Sequence, residues 1–304
     1  MEEQHNLEKK LENWINSEGI PLEYYTSSIY QKERFRVFQS DFILDNGNSR
    51  EIDVSAFLDF QIDELCTLRL YNIIECKWTK DKPWTIFTSQ TTQMAVSARI
   101  AQSFGNEIGR TLLWHLAGEE NLKRLELFKN MKPNGFSGRQ AFSKDNDLFY
   151  SSLQSLIAKT IIKLSEYDKY NHKNPFEIIT IGIPTIVIDG LLFETIFNFE
   201  TEKVELNKVN YSRVQWKGSS LTKYISVVDI VTKEYLPEYV RKIKNDFQEI
   251  SKQSIGNIKN LREFYDTKNL DILKFKTGPR GFTGYPKFII DQIGRPKEKQ
   301  LGSL

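Results

Sequence analysis

Leu7, Leu11, Trp14 and Ile15 recur at helical spacing within residues 3–16, so the chain opens with an amphipathic helix, which Gly19 to Pro21 bring to an end. Three segments rich in apolar and β-branched residues follow at 35–44, 50–60 and 67–78. They are separated by Asp45-Asn46-Gly47-Asn48 and by the polar run Gln61 to Glu64, and they read as an antiparallel meander. Thr88 or Ser89 is placed to cap a helix through Met94, Ala95, Ala98 and Ala101 to Phe104, and Arg110 to Leu116 reads as a strand after it. The expected order is therefore helix, three strands, helix, strand.

Residues 118–146 mix Gly, Asn and Pro with Lys129, Lys132, Arg139 and Lys144, the pattern of a long loop with room for one short helix. Helical periodicity returns from Leu148 to Leu164 through Leu153, Leu156, Ile157 and Ile161. Ile178 to Ile188, Asp189-Gly190 and Leu191 to Phe199 then look like two strands joined by a two-residue turn, which assigns Asp189 to the turn. Strands at 204–216 and 223–231 complete the expected sheet. Pro237 suits the first turn of a helix from Leu236 to Ile250. From Gly278 to Pro286 the chain is rich in turn formers, and Arg295 to Lys299 is mostly basic, as a nucleic-acid-contacting arm or a free terminus would be. These patterns divide the chain into a domain of residues 1–230, with 118–146 inserted, and a helical extension with a basic tail over 231–304.

Composition narrows the class. With 39% apolar and 12% aromatic residues the chain can bury a substantial core. A formal charge of +2, from 42 basic and 40 acidic residues, gives no overall pull toward nucleic acid or membrane, so any basic surface must be local. Cys66, Cys76 and three scattered histidines, His5, His115 and His172, form neither a disulfide framework nor a zinc pattern. No apolar run approaches the ~20 residues of a membrane span, and a cytoplasmic location is expected. A Gly-rich phosphate loop followed by Lys-Ser or Lys-Thr is absent from the sequence.

The candidate chemistry lies in two of the strands: Arg50-Glu51-Ile52-Asp53-Val54-Ser55-Ala56-Phe57, then Tyr71-Asn72-Ile73-Ile74-Glu75-Cys76-Lys77-Trp78. Strand alternation puts Glu75 and Lys77 on one face and Ile74, Cys76 and Trp78 on the other, with Asp53 pointing away from Ile52, Val54 and Ala56. If the strands pair, Asp53 stands beside Glu75 with Lys77 one step further. Two carboxylates held together repel, and burial adds a desolvation cost, so such a pair calls for a cation. Oxygen donors of this kind suit Mg²⁺, with Mn²⁺ able to substitute. Cys76 falls on the apolar face with no histidine near it in sequence, which argues against a thiol nucleophile. An exposed cross-strand ion pair is the plainer alternative for Glu75 and Lys77.

Asp53 on the second strand and Glu75-Cys76-Lys77 on the third, between helices, resemble the PD-(D/E)xK restriction-endonuclease-like nuclease superfamily. Ile52 stands where the family's name has Pro, a position that varies among its members. The resemblance covers roughly residues 1–120 by motif. It implies an α/β fold with a restriction-endonuclease-like core and additional C-terminal strands and helices. The implied activity is Mg²⁺-dependent phosphodiester hydrolysis, usually of DNA, in restriction, repair or antiviral defence. It also implies a further metal-site acid on the first helix, for which Glu8 is the best match because it lies about 20° from Ile15 on a helical wheel. A polar residue from the next helix is expected too, and Gln93 is the candidate, with Gln90 behind it. The site read from sequence is therefore Asp53, Glu75, Lys77, Glu8 and Gln93, with Asp53, Glu75 and Glu8 as metal ligands. Lys32, Arg34, Lys129, Lys132 and Arg139 are available to grip a phosphate backbone. Two other readings keep the fold: a nucleic-acid-binding or scaffolding subunit without catalysis, or a nuclease that cleaves RNA. The C-terminal region is available for a homodimer or a partner protein.

Overall fold

The computed structural model describes residues 2–267 except 46, 80–81, 91–93, 132, 144–146, 172, 175–176 and 217–224, together with 269 and 272. The first helix, α1 (Glu2–Ser17), packs against a second, α2 (Ile20–Lys32), that the sequence pattern did not show. The first helix ends at Ser17, before Gly19 to Pro21 as expected, and Pro21 then occupies the first turn of α2, where a missing N–H is not required. Leu22, Thr26, Ser27, Ile29 and Tyr30 form the buried face of α2.

The meander is as expected. Strands β1 (Arg36–Asp45), β2 (Asn48–Asp63) and β3 (Cys66–Trp78) pair antiparallel in sequence order. Strand β7 (Glu177–Asp189) then lies parallel to β3 along its whole length, from Cys66 opposite Glu177 to Trp78 opposite Asp189. A parallel neighbour needs a crossover, and α6 (Leu148–Asn171) precedes β7 and packs on it. The remaining strands are β4 (Trp84–Ser89), β5 (Phe104–Gly105), β6 (Asn134–Gln140), β8 (Leu192–Asn198), β9 (Lys203–Val209), β10 (Tyr211–Trp216) and β11 (Ser226–Thr232). They extend one mixed sheet in the order β1-β2-β3-β7-β11-β10-β6-β4-β8-β9, with β5 paired to β7.

Four sequence expectations change. Thr88 and Ser89 end β4 instead of capping a helix, and the helix that follows, α3, is confined to Val96–Ala101. Arg110 to Leu116 is helical, within α4 (Glu107–Leu116): the Asn106 side chain caps it by accepting from the Gly109 amide at 2.9 Å, and Leu112, Leu113 and Leu116 are buried. A short apolar run fits either periodicity, and the cap decides it. The stretch 118–146 holds a short helix, α5 (Glu120–Lys123), but also β6, which enters the sheet. Finally, β7 and β8 are not a hairpin. The β3–β7 pair is prolonged by a parallel β4–β8 pair, with Thr79 N donating to Asp189 O (3.1 Å) and Trp84 N to Leu191 O (2.9 Å). Gly190 is required by close approach, because a Cβ there would lie 1.8 Å from Thr79 Oγ1, and Asp189 pairs with Lys233 at 2.7 Å.

Helix α7 (Leu236–Thr267) runs well past Ile250, and its Leu236, Val240, Phe247, Ile258 and Phe264 share one apolar cluster with Leu22, Val54, Ile74 and Ile181. A boundary at 231 therefore separates no core from another. On the other face of the sheet, Phe57, Tyr71, Ile73, Ile186 and Ile188 pack with Leu153, Leu156 and Ile157 of α6. The basic stretch Arg295 to Lys299 and the turn-rich segment 278–286 lie outside the described residues. Among those residues no helix is long and apolar enough to cross a membrane.

Asn106 fastens α4 to β7, its Oδ1 accepting from Thr180 N (3.1 Å) and its Nδ2 donating to Ile178 O (3.0 Å). The contact is so close that a Cβ on Gly109 would sit 2.0 Å from Thr180 O. Gly109→Ala is expected to destabilise the fold by about 3 kcal/mol, read as a lower urea midpoint with an unchanged slope. A midpoint equal to that of the wild type would refute this packing.

Candidate active site

The alternation of β3 sends Ile74 and Cys76 toward α2 and α7, and Tyr71, Ile73, Glu75 and Lys77 toward α6. Because β3 is central and α6 covers that face, Glu75 is only 5% exposed. Its charge is met from two directions: Lys77 Nζ lies 2.7 Å from Oε1, and Lys159 Nζ, from α6, lies 2.6 Å from Oε2. Lys159 is itself buried, and its place in the site was not foreseen from sequence.

Pairing of β2 with β3 ends at Val54 opposite Ile74. Beyond that point the Asp53 carboxylate takes the next amide of β3, Oδ2 accepting from Cys76 N at 2.7 Å, and it stands 3.9 Å from Lys77 Nζ. Burial and the neighbouring Glu75 push the Asp53 pKa up, against the opposing pull of Lys77, the Cys76 amide and Lys159. Burial works against the ammonium of Lys77, but Glu75 and Asp53 outweigh it and hold that pKa above the ordinary lysine value. Lys77 is therefore a cation at neutral pH.

A second helix, α2, also reaches this site. Glu23, in its first turn, is raised from its ordinary 4.5 to about 7 by partial burial and by the charges of Asp53, Glu51 and Glu75, with Lys77 opposing. On the same helix Thr26 Oγ1 lies 3.6 Å from the sulfur of Cys76. Glu8 is exposed on α1, which packs on α2, and Gln93 lies outside the described residues. The structure thus brings together Asp53, Glu75 and Lys77, and adds Glu23 and Lys159. Cys76 is buried, with its thiol pKa raised well above normal by burial first and Asp53 second, consistent with a packing role. His115 donates to or accepts from Asn257 at 2.9 Å, away from these groups in sequence and partnership. A second ion pair on this side of the sheet, Lys163 to Asp41 at 2.8 Å, is joined by Ser55, whose hydroxyl donates to Asp41 at 2.9 Å.

Among the described residues no three His, Cys, Asp or Glu side chains form a ready metal cage. The donor chemistry nevertheless fits a hard cation: Mg²⁺ is commonly held by one or two carboxylates together with substrate phosphate and water. The pKa values of Asp53 and Glu23 are raised first by burial and then by neighbouring carboxylates.

No family model matches the chain, and no curated protein or solved structure gives a significant match.

Two consequences are measurable. Glu23 binds its proton more tightly in the folded than in the unfolded chain, so it destabilises the fold increasingly as pH rises from about 4.5 to 7. Glu23→Gln is expected to be more stable than wild type at pH 8 and indistinguishable below about pH 4.5; equal stabilities at pH 8 would contradict the shift. Removing one partner of a buried ion pair leaves an uncompensated charge. Lys159→Met is therefore expected to cost about 3 kcal/mol, most of it recovered by adding Glu75→Gln. An additive double mutant would show that the two side chains do not depend on each other.

Proposed function

We propose that this protein is a Mg²⁺-dependent nuclease that hydrolyses phosphodiester bonds in nucleic acid, with DNA the preferred substrate. The observation that carries this reading is the convergence of Asp53, Glu75 and Lys77 where β2 parts from β3, ringed by Glu23 and Lys159. The order α2, β1-β2-β3, α6, β7, with residues 79–147 between β3 and α6, supports a likeness to the helix, meander, helix, strand plan of PD-(D/E)xK nucleases.

In this reading Asp53 and Glu75 hold the cation, and Glu23 is a third acid within its field. Bound there, Mg²⁺ or Mn²⁺ supplies Lewis acidity to the scissile phosphate and lowers the pKa of a coordinated water. Lys77, being protonated, donates a hydrogen bond and positive charge to the attacking water and the phosphate as negative charge grows. Lys159 keeps Glu75 oriented from the covered side of the sheet. Exposed basic residues on the described surface, Lys32, Arg34 and Arg139 among them, are available for backbone contacts.

A second reading has its own observation. Both oxygens of Glu75 already bind lysines, a balanced arrangement that a catalytically silent nucleic-acid-binding subunit could keep without metal. Cleavage of plasmid, single-stranded DNA and RNA in Mg²⁺, Mn²⁺ or EDTA separates the two. Wild type is expected to cut DNA only with metal, and Asp53→Asn and Lys77→Ala to lose about 100-fold or more while remaining folded. Cutting that survives EDTA or the Asp53→Asn change would sink the proposal. Metal-independent binding without cleavage would favour the silent subunit, and cutting of RNA alone would reassign the substrate.

A further inference from the structure

A second concentration of buried charge lies on the opposite face of the sheet, where Asp229 of β11 shares its side with Val231 of the α7 cluster. A small pocket, open to solvent, is walled there by Arg99, Ser103, Phe104, Pro184, Arg213 and Asp229. Arg213 and Asp229 neutralise each other in a bidentate pair, Nε to Oδ1 at 2.5 Å and Nη2 to Oδ2 at 2.9 Å.

Among the described residues Arg99 has no such paired carboxylate. It is 1% exposed, and its Nη1 donates to the carbonyl oxygens of Phe128, at 2.8 Å, and Lys129. Its Nη2 donates to the side-chain oxygen of Asn130, while its Nε finds no acceptor. All these acceptors are neutral. Burial first, and the neighbouring Arg213 second, pull the Arg99 pKa down to about 10 against the opposing charge of Asp229, which leaves it cationic at neutral pH. Two buried guanidinium groups with one carboxylate, Asp229, for both are a costly arrangement that an anion entering the cavity would relieve. A guanidinium with a free N–H is matched best by an oxyanion.

We propose that this cavity is an anion site for a phosphoryl group, free or carried on a small molecule, with Arg99 as its cationic anchor. Phe104, Leu127, Phe128 and Pro184 give the walls apolar surface for the organic part of a phosphate ester, and Ser103 and Gln102 add polar groups at the rim. The site is separate from the Asp53–Glu75 cluster and does not depend on the nuclease reading.

The test uses the full chain, titrated with inorganic phosphate or with AMP at constant ionic strength, since chloride alone screens without fitting. The readouts are the Arg99 side-chain Nε–H resonance of the wild type and the thermal midpoint. A saturable shift of that resonance with a rise in midpoint is expected. Val227→Phe, which fills the cavity from its wall while sparing the contacts Arg99 makes with the chain, is expected to weaken the response about tenfold or more. A response to both probes identifies phosphate itself, and a response to AMP alone identifies a nucleotide. A resonance unmoved by either probe, or an equal response in Val227→Phe, overturns the proposal.

Discussion

The parallel pairing of β3 with β7 is the constraint on which the rest of the structure depends. It joins strands 13 residues long over their full length. A parallel pair cannot be closed by a turn and is stable only when both faces are covered. The intervening chain supplies α6 for one face, and α2, α4 and α7 cover the other. Once β3 is central, a carboxylate at position 75 is buried whatever its purpose. Burial then demands cations within hydrogen-bonding reach, and these come from the same face of the strand, Lys77, and from the covering helix, Lys159. The early parting of β2 leaves the Cys76 amide for Asp53. The acid and lysine cluster is thus a product of sheet order as much as of the local motif.

Perturbed titration alone would not single this cluster out. Asp246 is also raised, to about 6, chiefly by burial, yet it makes one hydrogen bond, to Leu127 N at 2.9 Å, and serves to fix a loop. Arg213 and Asp229 are more deeply buried still, and they cancel each other. Around Asp53 burial is again the first cause, but several acids add to it: Glu23 and Asp53 are raised by burial and then by neighbouring carboxylates, with Lys77 opposing. Arg99 is the mirror case, with positive charge in excess.

The core of the site was legible because strand alternation is unforgiving. Charges at 53, 75 and 77 interrupt apolar strands on one face, and the three meander strands were bounded by polar turns. Lys159 left a weaker signal: it falls three residues after Leu156 and so lies on the buried stripe of α6, where a lysine needs a partner. Glu23 was hidden by Pro21, because Gly19-Ile20-Pro21 fits the end of one helix and the start of another equally well, and only the packing of α2 decides. Asp189-Gly190 misled for a related reason. Turn residues describe the local backbone and do not say which strand becomes the neighbour, and here the β3–β7 pair runs on into β4–β8. The helix at 107–116 was lost to the ambiguity of a short apolar run whose cap, Asn106, lay outside the run considered.

The two lysines on Glu75 are not equivalent, and the difference bears on how the site could work. The Lys159 side chain is 9% exposed and reaches Glu75 from beneath α6, while that of Lys77 is 24% exposed and stands near Asp53 at the end of β3. A carboxylate held at 2.7 and 2.6 Å by both ammonium groups has little of its charge left for a divalent cation. One lysine must release it for such an ion to bind, and release is cheaper for the group already in contact with water. Lys77 would be the one displaced if a cation were held there, while Lys159 would remain to orient Glu75. The Lys77–Glu75 contact is thus the more readily opened of the two, and the Lys159–Glu75 contact the more firmly held.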